Sequence, residues 1–121
     1  MLSSEVYFTN LRVKKGQSLL SKLEYLVKRS GILTSIEPQN FVAIKIHFGE
    51  RGNLAYIRPQ YIRCLVDLIK EKGGKAFLTD TNTLYVGTRS NAVDHLETAI
   101  LNGFDFSVVG VPLIIADGLK G

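Results

Sequence analysis

FVAIKIHFGERGNLAYIRPQYIRCLVDLIKEKGGKAFLTD, residues 41–80, is the stretch that decides the fold. It opens with FVAIKIHF (residues 41–48), an apolar run too short for a helix and rich in the branched and aromatic side chains that suit a strand. Ile62, Leu65, Val66 and Ile69 then recur at helical spacing behind Pro59, whose fixed φ fits the first helical position, and Gly73 and Gly74 end the helix. KAFLTD (residues 75–80) reads as the next strand. Strand, helix, strand is the unit that builds a parallel sheet through crossovers.

The same alternation extends both ways. Upstream, VYFT (residues 6–9) reads as a strand, and Leu19, Leu20, Leu23, Leu26 and Val27 mark a helix with Ser18 as its N-cap and Gly31 as its stop. Downstream, Ser90 can cap a third helix bearing Val93, Leu96, Ala99 and Ile100 and ending at Gly103. FSVVGV (residues 106–111) reads as a fourth strand, and PLIIADGLKG begins another before stopping in turn chemistry at residues 117–121. The pattern predicts an α/β fold, a mostly parallel sheet with alternating helices in Rossmann-like βαβ layers, whose strand order the sequence does not reveal. Residues 1–121 form a single domain on this reading, and the abrupt end suggests a fragment of a longer protein.

Composition narrows the class. With 45% apolar and 21% charged residues the chain is globular, and no apolar run approaches the roughly 20 residues of a membrane span. Its start, MLSSEVYFTN, lacks the basic and apolar regions of a secretory signal, so the cytoplasm is the default compartment. The net charge of +4 is concentrated in residues 1–40, with six Lys/Arg against three Glu. Such a basic third can mark nucleic-acid binding, but Arg12, Lys14 and Lys15 read more simply as a solvated turn before a helix, which makes nucleic acid an unfavoured partner. Cys64, the lone cysteine, excludes an internal disulfide and cannot supply the four thiolates an iron–sulfur cluster usually takes. It reads as a small buried or half-buried helix residue rather than a catalytic thiol.

Loops leaving the carboxyl ends of parallel strands share one edge, and two of them here, residues 49–58 and 81–89, exceed the usual length of about 2 to 6. Each contains an Asn, a Leu, a Tyr, a Gly and a final Arg: Asn53, Leu54, Tyr56, Gly49, Gly52 and Arg58 in the first, Asn82, Leu84, Tyr85, Gly87 and Arg89 in the second. Both arginines stand just before helix starts, where the macrodipole disfavours a cation. A bound phosphate or carboxylate would offset that; arginines turned into solvent would need no partner. The glycines form neither a Walker loop nor G-x-G-x-x-G.

Lys45 and His47 lie two apart in one strand and so face the same side. Lys45 either pairs with Asp80, at the end of the next strand, or lays its stem under a helix with the ammonium in water. His47 is a candidate general acid or base, or a hydrogen-bonded strand-end residue. His95, inside a helix, reads as packing. His47 and Asp80, even with Glu50 as a third donor, specify no metal by their spacing.

IKIHFGERGNLAYIRPQYIR, GGKAFLTDTNTLYVGTRSNAVDHLETAILNGF and PLIIADGLKG together resemble the N-terminal part of a prokaryotic family of conserved proteins, domain-of-unknown-function family three-six-two, often described as iron–sulfur cluster-binding or ferredoxin-like. The resemblance covers the chain from about Phe41 onward. It implies an α/β domain continued, in longer members, by further sheet elements and a cysteine-rich segment carrying 4Fe–4S clusters; no such segment is present here. The matching positions are His47, Glu50, Arg51, Arg58, Asp80, Asn82, Tyr85, Arg89 and Asp117, and the resemblance assigns none of them a catalytic role.

Together these readings predict a domain that binds a small anionic ligand at the carboxyl edge of its sheet, as the ligand-binding portion of an iron–sulfur-associated protein. Arg58 and Arg89, with Arg51, Asn82 and Tyr85, are the candidate ligand-binding residues; His47, Asp80 and Lys45 form the candidate catalytic centre. No metal and no cofactor is assigned to this chain. The alternative is a non-catalytic module that docks a partner or a missing C-terminal part, with self-association through an exposed strand edge.

Overall fold

A computed structural model describes residues 2–121. Three strands, β1 (Phe41–Lys45), β2 (Lys75–Asp80) and β3 (Leu113–Ile115), form one sheet in the order β1-β2-β3, parallel throughout. Around them lie α1 (Leu19–Ser30), α2 (Pro59–Glu71), α3 (Ala92–Leu101) and the one-turn α4 (Phe106–Val109). The α/β class read from the sequence is the class found. Among the described residues no helix is long and apolar enough to cross a membrane.

Local chemistry explains most boundaries. Ser18 and Ser21 close a capping box at the start of α1, each side chain taking the other's backbone N–H at 3.0 Å. Gly31 ends that helix in the left-handed region, φ 67°. Pro59 opens α2 as its first residue. At α3 the cap is Asn91, not Ser90: the Asn91 side chain accepts from the Asp94 N–H at 3.0 Å, while the Ser90 hydroxyl donates to the Gly87 carbonyl at 2.9 Å.

Two expected strands are absent. Residues 106–111 hold α4 instead, because the Asp105 carboxylate accepts from the Ser107 N–H at 2.7 Å and Gly110 stops the turn at φ 76°. The last strand therefore falls at β3. Residues 6–9 are irregular and Val6 and Phe8 are exposed. The chain just beyond them is tied to α1, where the Lys22 ammonium donates to the carbonyls of Asn10 and Arg12, both at 2.6 Å. β1 also ends earlier than residues 41–48, although the Ile46 N–H still bonds to the Thr79 carbonyl at 3.1 Å.

Right-handed crossovers stepping one way across a sheet leave their helices on one face, and the burial pattern here has that form. Val42 and Ile44 of β1 share a face with Ala76 and Leu78 of β2 and with Leu113 and Ile115 of β3. On that side Ile62, Val66 and Ile69 of α2, Ala99 of α3, and Phe48, Phe104, Val109 and Val111 complete the core. The opposite face carries Phe41, Ala43 and Lys45 beside Lys75, Phe77 and Thr79, with Ile114 next to Thr79. Phe41 and Ile114 stand 80% and 48% exposed on it.

Candidate functional site

Because all three strands run the same way, residues 46–58, 81–91 and 116–118 emerge at one edge. Ligand crevices in open α/β sheets usually form where strand order reverses. The order β1-β2-β3 has no reversal, so the edge is shaped by its loops alone.

Arg89 joins the first two loops. Its side chain is 5% exposed, with Nε 3.0 Å and Nη2 2.6 Å from Glu50 Oε1, and Nη1 3.4 Å from Asp80 Oδ2. The Tyr85 hydroxyl accepts from Nη2 at 2.7 Å and donates to the same Glu50 oxygen at 2.8 Å. These bonds, Arg89's first, hold the Glu50 carboxyl below its ordinary range. A buried guanidinium with two carboxylates and a hydroxyl around it has little left to offer a ligand.

Asp80 is the second buried charge. Its Oδ1 accepts from the Thr81 N–H at 2.9 Å and lies 3.2 Å from the Lys45 ammonium, whose side chain is largely exposed. Behind it stands His95, fully buried, with Nε2 3.6 Å from Asp80 Oδ2 and the Phe48 ring edge-on at 5.7 Å. Among the described residues neither imidazole nitrogen has a hydrogen-bond partner. Burial lowers the His95 pKa, and Arg89 adds to that while Asp80 opposes it. A neutral His95 at that distance is a neighbour of Asp80, not an ion-pair partner.

His47 is exposed at the end of β1, and its Nδ1 accepts from the Gly49 N–H at 3.0 Å. In the neutral ring that bond leaves the proton on Nε2. Gly49 itself is buried with φ 85°, and a Cβ there would lie 2.6 Å from both Asn102 Nδ2 and the Tyr56 ring. Only glycine fits. Beside His47, Ile46, Ala55, Tyr56 and Ile57 line a hollow of about 460 Å³.

The other candidates are spread around this centre. Arg51 turns to α3, its Nη2 2.8 Å from Glu97 and its Nε donating to the Thr98 hydroxyl at 3.3 Å. Asn82 ties its loop to the turn after β3, its N–H bonding to Asp117 at 2.9 Å and its side-chain amide to the Gly118 carbonyl at 2.8 Å. Arg58 is exposed at the N-cap of α2 and makes no side-chain capping bond there. The structure thus gathers Lys45, Asp80, Tyr85 and Arg89 into one network with Glu50, with His95 packed beside it, while Arg58 is exposed and makes none of these bonds. Glu50, from sequence only a candidate third donor beside His47 and Asp80, is the carboxylate that binds Arg89 most closely. Its signal is an acid at the start of the long loop after β1, with an arginine at the end of the next such loop, 39 residues on.

Among the described residues no group of three or more His, Cys, Asp or Glu is placed to hold a metal ion. No curated protein and no solved structure matches the chain. A family model, Domain of unknown function (DUF362), matches residues 42–121, a span that starts in β1 and takes in both loops, the Arg89 network and β3. With two thirds of its length under that match, the chain belongs to the DUF362 family.

Proposed function

We propose that this domain binds a small anionic ligand at the carboxyl edge of its sheet, with Lys45 and His47 as the contact groups and Arg58 contributing charge from the start of α2. The observation that carries this reading is the pair at the carboxyl end of β1: Lys45, its last residue, and His47, two residues beyond, are both exposed, and each is oriented by a built partner, Asp80 at 3.2 Å and the Gly49 N–H at 3.0 Å. Asp80 acts here by positioning Lys45, and Arg89, Glu50 and Tyr85 act by holding the two loops together. Arg51 and Asn82 serve the same scaffold.

In the same reading the domain is the ligand-binding portion of an iron–sulfur-associated protein whose clusters are held elsewhere. The residues of this chain do not fit a cluster. Cys64 is half-buried on α2, its thiol pKa is raised by burial, and no other thiolate exists to join it.

Thermal melting with inorganic phosphate or acetate tests the proposal, since a ligand at 100 times its Kd stabilises by about 2.7 kcal/mol. Stabilisation is expected for the native chain, weakened in Lys45→Ala and Arg58→Ala and intact in Arg12→Ala. An equal loss in all three variants would reduce the effect to net charge.

A second reading, a docking module, is favoured by the uncovered sheet face with exposed Phe41 and Ile114, because parallel sheets are ordinarily covered on both sides. Concentration-dependent self-association, through that face or the open edge of β3, would support it.

A further inference from the structure

We infer that the ligand is a small monocarboxylate with a compact apolar body, the body seated in the hollow beside His47 and the carboxylate on the Nε2–H of that residue. The inference rests on the anion-binding reading above and adds the ligand class.

The hollow's lining sets the body. Ile46, Ala55, Ile57 and the Tyr56 ring supply apolar surface, and the lining's polar groups are the His47 imidazole and the Tyr56 hydroxyl. Its volume of about 460 Å³ falls in the range of small-molecule sites, roughly 300–1,000 Å³.

The head group follows from the donor. With Nδ1 taken by the Gly49 N–H, neutral His47 offers a single N–H. That ring is oriented by a braced backbone N–H. Gly49 is wedged against Asn102 and Tyr56, Asn102 donates to the Phe48 carbonyl at 2.9 Å, and Tyr56 packs against Phe104 at 5.9 Å. Tyr56 thus both walls the hollow and wedges Gly49, whose N–H orients the ring. One imidazole N–H and one phenol O–H beside apolar walls match the two oxygens of a carboxylate, while a phosphate dianion would find no protein donor for its further oxygens. Arg58, exposed and next in sequence to Ile57 of the lining, adds positive charge.

The test titrates the whole 15N-labelled chain with 3-methylbutanoate, acetate, 3-methylbutanamide and inorganic phosphate, following the Gly49 amide and the His47 ring nitrogens by NMR. Expected is saturation by 3-methylbutanoate at a concentration on the order of tenfold below acetate, from the added apolar carbons. The amide should bind more weakly than the acid. Ile57→Ser, a change at an exposed position, should erase the advantage over acetate without unfolding the chain. Phosphate binding tighter than 3-methylbutanoate would overturn the ligand class and leave the anion site standing, as would an unchanged preference in Ile57→Ser. If no anion shifts these resonances, or the amide binds as well as the acid, the anion-binding reading itself fails.

Discussion

The loop after β1 and the loop after β2 carry the same residue types, yet the fold uses them in opposite ways. Tyr85 and Arg89 of the second loop bond to each other and to Glu50. Tyr56 of the first packs on Phe104, and Arg58 is exposed. Position relative to the helix start accounts for much of this. Arg58 is itself the N-cap of α2, whereas Arg89 lies two residues before Asn91, whose side chain already caps α3 and leaves the arginine free to turn inward. The comparison teaches that composition places an arginine near a helix end, and that the register of the cap decides whether it becomes scaffold or surface.

The largest effect should come from removing the scaffold arginine. Arg89→Ala leaves Glu50 and Asp80 without their buried cation and should destabilise the fold by about 3–5 kcal/mol in urea unfolding. Arg58→Ala should stay within about 0.5 kcal/mol. Similar losses at the two sites would break the contrast between the loops.

Within the first loop, Gly49 and Gly52 sharpen it further. Both have positive φ, but a Cβ at Gly52 meets open space while one at Gly49 meets Asn102 and Tyr56. Gly52→Ala should cost about 1 kcal/mol of backbone strain, and Gly49→Ala about 1–3 kcal/mol more from overpacking. Equal melting temperatures for the two variants would show that the wedge at Gly49 relaxes freely.

Acid should loosen the packing of α3 around His95 before it releases Glu50 in the first loop. The folded pKa of His95 lies below the ordinary 6.5, with Asp80, Arg89, Asp117 and Glu50 around it, so the unfolded chain binds the extra proton first. Stability is then complete above about pH 6.5 and falls as the pH drops below it. Glu50, lowered from 4.5, keeps its contribution above that value and loses it as the pH falls further through its folded pKa. Urea midpoints from pH 8 to 3 should show both declines in the native chain, and the first should vanish in His95→Leu. A midpoint that stays level to pH 5 would contradict a neutral buried His95.

The smallest difference belongs to the tyrosines. Tyr85→Phe removes the hydroxyl between Arg89 and Glu50 and should cost about 0.5–1.5 kcal/mol. Tyr56→Phe keeps the packing on Phe104 and should fall within about 0.5 kcal/mol of the native chain.

Much of the architecture was legible from residues close together in sequence. The strand at Phe41, the helix opened by Pro59, the strand ending at Asp80 and the stops at Gly31 and Gly73 all depend on side-chain period and turn chemistry over a few positions. Lys45 could be paired with Asp80 for a related reason: both sit at the carboxyl ends of strands joined by one crossover. The site was less legible. Glu50 and Arg89 meet across 39 residues, and His95 reaches Asp80 only because α3 packs against the sheet that Asp80 ends.

The sequence by itself determined the α/β alternation, most helix limits and the edge at which the long loops gather, because capping, φ preference and periodicity act within a turn or two of chain. The tertiary structure decided the rest. FSVVGV has the composition of a strand, and it is held as α4 against α2, where Arg63 and Lys70 donate to the carbonyls of Val108 and Gly110. Residues 6–9 have strand composition but pair with no strand. Strand order, and the choice of Arg89 over Arg58 as the buried cation, depend on which distant groups share the space left by packing. That is a long-range balance of burial against pairing, in which a buried charge is tolerated only where the fold brings its partner to it.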